Sequence, residues 1–129
     1  MRGVNRVTLV GNMGAGPETR QLEDGTRVTR VQMATTDVYR DKAGKAVSNT
    51  QWHTVIFWRS LGELAGKYLK KGSHIYVEGK LQHRRYEDRD GVMRYTTEIV
   101  ADRLVMLDKR EREEGRVEKG GQAEDDLPF

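Results

Sequence analysis

The chain has 129 residues, 23 Lys+Arg against 20 Asp+Glu for a formal net charge of +3, and no cysteine. That length fits one domain with a short appendage, and the lack of cysteine excludes disulfides, thiolate metal sites and cysteine nucleophiles. No apolar run approaches the ~20 residues of a membrane span. The N-terminus lacks the apolar stretch of a secretory signal, so a cytoplasmic protein without membrane attachment is expected. The charge is divided unevenly. Residues 1–107 hold 18 Lys+Arg and 12 Asp+Glu, whereas residues 108–129 hold 5 and 8. A basic body with an acidic end suits a nucleic-acid binder, although a solvated surface with a frayed terminus has the same look.

In chain order, residues 4–10 mix β-branched and apolar types before Gly11-Asn12 and predict a strand ending in a turn. A short strand at 20–22 precedes the hairpin signal Asp24-Gly25. Residues 26–36 form a second long strand, and Asp41-Lys42-Ala43-Gly44-Lys45 a protruding loop. Residues 51–58, the most apolar segment, form the third. The period then changes: Leu61, Leu64, Ala65, Tyr68 and Leu69 recur at helical spacing. Ser60 with Glu63 offers a capping box, and Gly72 after Lys70-Lys71 a stop. Residues 74–84 alternate again, Asp88-Arg89-Asp90-Gly91 turns the chain, and residues 93–107 give a last strand bent near Asp102. The expectation is a mainly all-β fold, a five-stranded OB barrel with one α-helix between the third and fourth barrel strands. Residues 108–129 are nearly all charge and then Gly-Gly, which predicts a short linker and a disordered acidic tail beyond a domain of residues 1–107.

Enzymatic chemistry has little to stand on. His53, His74 and His83 lack metal-ligand spacing, no phosphate-loop or nucleophile-elbow motif occurs, and neither metal nor cofactor is expected. A binding surface is better represented. On the third strand Trp52, Thr54, Ile56 and Trp58 face one way and His53, Val55 and Phe57 the other. With Val55 and Phe57 inside, two indoles stand ~20 Å apart outside. Exposed indoles call for a cover, either a second subunit or stacked bases. Tyr39 beside Arg40 and Lys42, and Tyr86 beside Arg84 and Arg85, add rings next to cations. A sequence-tolerant binder of single strands needs that mixture. Candidate phosphate contacts are Arg6, Arg30, Arg40, Lys42, Arg59, Lys70, Lys71, Arg84 and Arg85.

Those residues sit within longer stretches that carry a resemblance: Gly3-Val4-Asn5-Arg6-Val7, Val10-Gly11-Asn12-Met13-Gly14, Tyr68-Leu69-Lys70-Lys71-Gly72-Ser73, Tyr76-Val77-Glu78-Gly79-Lys80-Leu81, Arg94-Tyr95-Thr96-Thr97-Glu98 and the ending Asp125-Asp126-Leu127-Pro128-Phe129. Over nearly its whole length the chain resembles the bacterial-type single-stranded DNA-binding proteins. The resemblance implies an OB fold assembled as a homotetramer that wraps single-stranded DNA in replication, recombination and repair, in the nucleoid. It also implies base stacking on Tyr39, Trp52, Trp58 and Tyr86, a subunit-interface place for His53, and docking of replication and repair proteins on the terminal Asp125, Asp126, Leu127, Pro128 and Phe129. The family often has Trp where this chain has Tyr39 and Tyr86, and Phe where it has Trp58. Its usual long Gly/Pro/Gln linker is replaced here by 16 mostly charged residues, 108–123, which as a coil would span roughly 20–24 Å. Two other readings compete: an OB-fold protein that prefers RNA or serves as a primosome-type adaptor, and an interaction protein with both indoles buried between subunits.

Overall fold

The computed structural model describes residues 2–108. The predicted linker beyond Asp108 and the acidic ending with Asp125, Asp126, Leu127, Pro128 and Phe129 lie outside the described residues. Six strands and one helix follow in order: β1 (Val7–Met13), β2 (Glu18–Gln21), β3 (Arg27–Arg40), β4 (Ala46–Trp58), α1 (Arg59–Tyr68), β5 (His74–Glu87) and β6 (Met93–Met106). The sheet runs β1-β5-β6-β4-β3 and closes on itself where β1 returns to β3, pairing Asn12 with Ala34 and Met13 with Met33. β4 and β6 run parallel, Val55 beside Ile99 and Ile56 beside Val100. Short β2 lies on the outside of β3, leaving five strands in the barrel. This is the OB barrel expected from the order of elements.

Period-two alternation fills the barrel. Val31 and Met33, Val55 and Phe57, Ile75 and Val77, Ile99 and Ala101 come from four strands and meet Met13 of β1 in one core. The predicted turn at Gly11-Asn12 is instead strand. A Cβ on Gly11 would lie 2.0 Å from the Ala34 carbonyl oxygen, so glycine here permits the close approach that seals β1 to β3. The bend anticipated near Asp102 is a β-bulge: Glu78 pairs with Arg103 and Gly79 with Ala101, which leaves Asp102 as the extra residue.

Three hairpin turns share one construction. Gly25, Gly44 and Gly91 each take a positive φ. Their amides donate to the carbonyls of Leu22, Asp41 and Asp88, while carboxylates of Asp24, Asp41 and Asp88 accept amides inside the turns. Two of these turns cap long ribbons. The β3–β4 ribbon keeps pairing out to Arg40 and Ala46, and the β5–β6 ribbon out to Glu87 and Met93. β3, β4 and β5 run past their predicted ends at 36, 51 and 84, whereas β6 begins at residue 93 as expected. Beyond the barrel neither face meets a core, so the alternation that marks a strand in sequence fades there.

The helix is shorter and differently terminated than its sequence suggests. Its N-cap is Trp58, with no side-chain capping bond, so the Ser60–Glu63 box is not used. The helix ends at Tyr68, Leu69 is already extended, and Gly72 with φ 90° turns the chain into β5 four residues later. The predicted stripe docks through Ala65, Leu69 and part-buried Leu61, joined by the small residue Gly62. Gly62 and Ala65 are buried and Tyr68 is exposed. The buried Thr29 hydroxyl donates to the Gly62 carbonyl at 2.6 Å, and Gly66 leaves room for the Thr19–Thr29 hydroxyl pair. Arg59, at the junction, has φ 58°, where a side chain costs roughly 1–2 kcal/mol. Arg59→Gly should therefore leave stability unchanged or raise it by up to about 1 kcal/mol, while a β-branched Arg59→Val should lower it by about 1 kcal/mol. Urea melts of the two variants check this; equal losses in both would show that φ is not what limits the junction.

Candidate nucleic-acid interface

Strand β4 separates core from surface residue by residue. Phe57 and Val55 are fully buried, whereas Trp52 and Trp58 on the opposite face are 60% and 42% exposed. Ile56, on the same outer face, is nevertheless buried, because it forms part of the floor of a groove. That groove, of about 940 Å³, is lined by Val28, Arg30, Ile56, Trp58, Arg84 and Tyr86 among others. The barrel thus brings Trp58 and Tyr86 together from different strands, with guanidinium groups beside them. Trp52 stands farther along β4 opposite Ala34, and its ring lies against Gly14 so closely that an added Cβ there would sit 2.5 Å from it. Tyr39 is exposed on the outer part of the β3–β4 ribbon, opposite Val47, apart from the groove residues.

The nine candidate cations divide by what already holds them. Arg30 contacts Glu18 at 3.0 Å, Arg6 contacts Glu78 at 3.4 Å and Asp102 at 3.8 Å, and Arg84 contacts Glu98 at 2.7 Å. Arg40 donates to the Gly44 carbonyl. Lys42, Arg59, Lys70, Lys71 and Arg85 make no ion pair among the described residues. Hydrogen bonding to Glu98 also raises the pKa of Arg84 above the ordinary arginine value. Asp88 at the ribbon turn is held below the usual carboxylate range, first by Arg94 and then by the Val92 amide.

Sequence reasoning missed several residues of this surface. Tyr95 is the most exposed ring and lies in register with Arg85; the adjacent Arg94-Tyr95 repeats the cation-and-ring pattern of Tyr39-Arg40 and could have drawn attention to it. Arg20 and Glu98, which also line the groove, carry no comparable local signal. His53 is half-buried above Val55, its Nε2 2.9 Å from the Thr35 hydroxyl. Among the described residues no group of three His, Asp or Glu side chains could hold a metal ion, and no helix is long and apolar enough to cross a membrane.

A sealed OB barrel that shows rings and cations together on its outer wall belongs to the class of oligonucleotide-binding OB domains. More narrowly, residues 4–107 match the model of the single-strand binding protein family, and the chain belongs to that family. It is 48% identical over 109 residues to a single-stranded DNA-binding protein of Xanthomonas campestris pv. campestris, covering 84% of this chain and 63% of the relative. It is 46% identical over 112 residues to single-stranded DNA-binding protein 1 of Xylella fastidiosa (strain 9a5c), covering 86% and 82%. The chain thus spans under two thirds of the length of the Xanthomonas relative. In three dimensions it resembles the Plasmodium falciparum SSB solved in complex with ssDNA, with a TM-score of 0.75 and 30% identity, covering 84% of this chain and 98% of that one.

Proposed function

We propose that this chain binds single-stranded DNA with little sequence preference, without chemistry or cofactor, and so shields exposed strands during replication, recombination and repair. The observation that carries this is the pairing of Trp58 and Tyr86 in one outer groove while Phe57, next to Trp58 in sequence, is sealed in the core. Bases stack on Trp52, Trp58, Tyr86 and Tyr39, each good stack contributing about 1–3 kcal/mol. Lys42, Arg59, Lys70, Lys71 and Arg85, which make no ion pair among the described residues, then draw in phosphates together with Arg40. The domain responsible is residues 1–107. Assembly is a homotetramer; the outer face of β1 and β5, where exposed Val10 lies in register with Tyr76, and the half-buried His53 are its candidate contacts. Residues 108–129 supply the linker and the Asp125, Asp126, Leu127, Pro128, Phe129 ending that takes up replication and repair proteins, in a cytoplasmic, nucleoid-associated setting.

The test is tryptophan fluorescence during titration with oligothymidine, a mixed-sequence DNA, its RNA counterpart and a duplex. Strong quenching by both DNA single strands, with affinities that fall in parallel as salt rises, is the expected result. Absent quenching would place the indoles under another subunit. Equal binding of duplex would overturn the single-strand reading, and tighter binding of RNA would favour the RNA-binding alternative.

A further inference from the structure

Glu98 is the one acid of the groove wall that is buried, at 7% exposure. It lies on β6, one residue before Ile99 of the core, and its carboxylate faces outward into the groove rather than into the barrel. From β5, Arg84 reaches it with two N–H groups, Nη2 to Oε2 at 2.7 Å and Nε to Oε1 at 3.3 Å. The carboxylate side chain is 9% exposed and the guanidinium side chain 51%. This geometry is bidentate and fork-on-fork, which fixes the plane of the guanidinium as well as its position. The other ion pair of the groove wall, Arg30 with Glu18, is a single contact between two well-exposed side chains, a kind that solvent readily replaces.

We infer that Glu98 is a positioning residue that takes Arg84 out of phosphate binding and holds it as a flat, charge-compensated wall beside Trp58 and Tyr86, making this part of the groove a seat for bases and leaving the phosphates to cations outside it. This rests on the single-strand reading above. The physical reason is competition. A phosphate approaching Arg84 must displace a carboxylate that is already bound through both oxygens, and the displaced carboxylate would be left unpaired in a half-enclosed groove beside a second anion. A base has no charge to compensate, and it can lie on the exposed face of the guanidinium as it does on a ring.

The salt dependence of binding distinguishes the two roles, because each phosphate neutralised on a single strand adds about 0.7 to the slope of log affinity against log salt. The probe is oligothymidine of about eight nucleotides, within the reach of one OB fold. Glu98→Gln keeps the shape and frees the guanidinium, so the slope should steepen by about 0.7 per occupied groove and low-salt affinity should rise. Adding Arg84→Gln to that variant should return the slope to the wild-type value. Arg84→Gln alone should weaken binding with a slope no shallower than wild type, and it carries the test should Glu98→Gln fail to fold. A folded Glu98→Gln with an unchanged slope, or an Arg84→Gln slope shallower by about 0.7, would overturn the inference while the wild type still binds. Wild-type protein that binds no single strand would instead overturn the single-strand reading, and this inference with it.

Discussion

Phe57→Ala should cost about 3–5 kcal/mol of stability, whereas Trp58→Ala, one residue on, should cost under about 1 kcal/mol and instead weaken single-strand binding by about 1–3 kcal/mol, roughly 5- to 150-fold. The two rings belong to one strand and are similar in bulk, so chain position and side-chain size cannot account for opposite outcomes. What differs is the face. Phe57 has no exposed surface and touches core residues from other barrel strands; its removal leaves a cavity that close-packed neighbours cannot fill. Trp58 already meets water on its groove side, so its removal takes away a platform rather than a core contact. Trp52→Ala should follow Trp58→Ala, with a slightly larger stability loss because its ring lies against Gly14. Thermal or urea melts beside oligonucleotide titrations of the three variants measure both effects. If Trp58→Ala unfolds the chain as readily as Phe57→Ala, or binds DNA as tightly as the wild type, then the outer face of β4 is not a binding surface.

That face assignment was legible because β4 has a period of two and one of its faces is apolar without interruption at Val55 and Phe57. The hairpins were equally legible, since Asp with a nearby Gly states the turn chemistry locally at Asp24, Asp41 and Asp88. Other features depend on contacts distant in sequence. Ser60 and Glu63 have the right spacing for a capping box, but the chain enters the helix straight from β4 through a left-handed Arg59, so Ser60 never occupies the cap. Gly62 and Gly66 weaken a helix by propensity; their purpose appears only in the fold, where a Cβ on Gly62 would lie 2.6 Å from the Phe57 carbonyl oxygen and one on Gly66 2.5 Å from the Thr19 hydroxyl. Glu98 lies in a strand segment that looks solvent-facing from sequence. Its burial and its partner Arg84 follow from the β5–β6 register, which places Gln82 opposite Glu98 and Arg84 opposite Thr96. The exposed rings announced themselves by type, while the charge pattern around them had to wait for the fold.

Gly11→Ala should destabilise the chain by about 3 kcal/mol or more, near or above the upper end of ordinary overpacking. The added methyl would lie 2.0 Å from the Ala34 carbonyl oxygen, 3.0 Å from its carbon and 3.2 Å from the Met33 side-chain methyl. A flexible side chain could step aside; a strand backbone carbonyl that faces β1 cannot without moving β3. Relief therefore requires β1 to lift from β3, and the seam there is only two residue pairs long, Asn12 with Ala34 and Met13 with Met33. Both methionines are buried, so opening the seam admits water to the core as well as breaking backbone pairing. The consequence should reach the binding face, because Ala34 is the register partner of Trp52 and Gly14 follows directly from β1. Single-strand affinity should fall together with stability. Gly16→Ala is the matched control: nothing lies within 4 Å of its added Cβ, so a change within about 0.5 kcal/mol is expected. Urea melts of both variants, with amide exchange followed at Gly14, whose N–H donates to the Gln32 carbonyl across the seam, provide the measurement. A Gly11→Ala protein as stable as Gly16→Ala, with that amide still protected, would mean that β1 and β3 tolerate a side chain between them and that the barrel is not sealed at this seam.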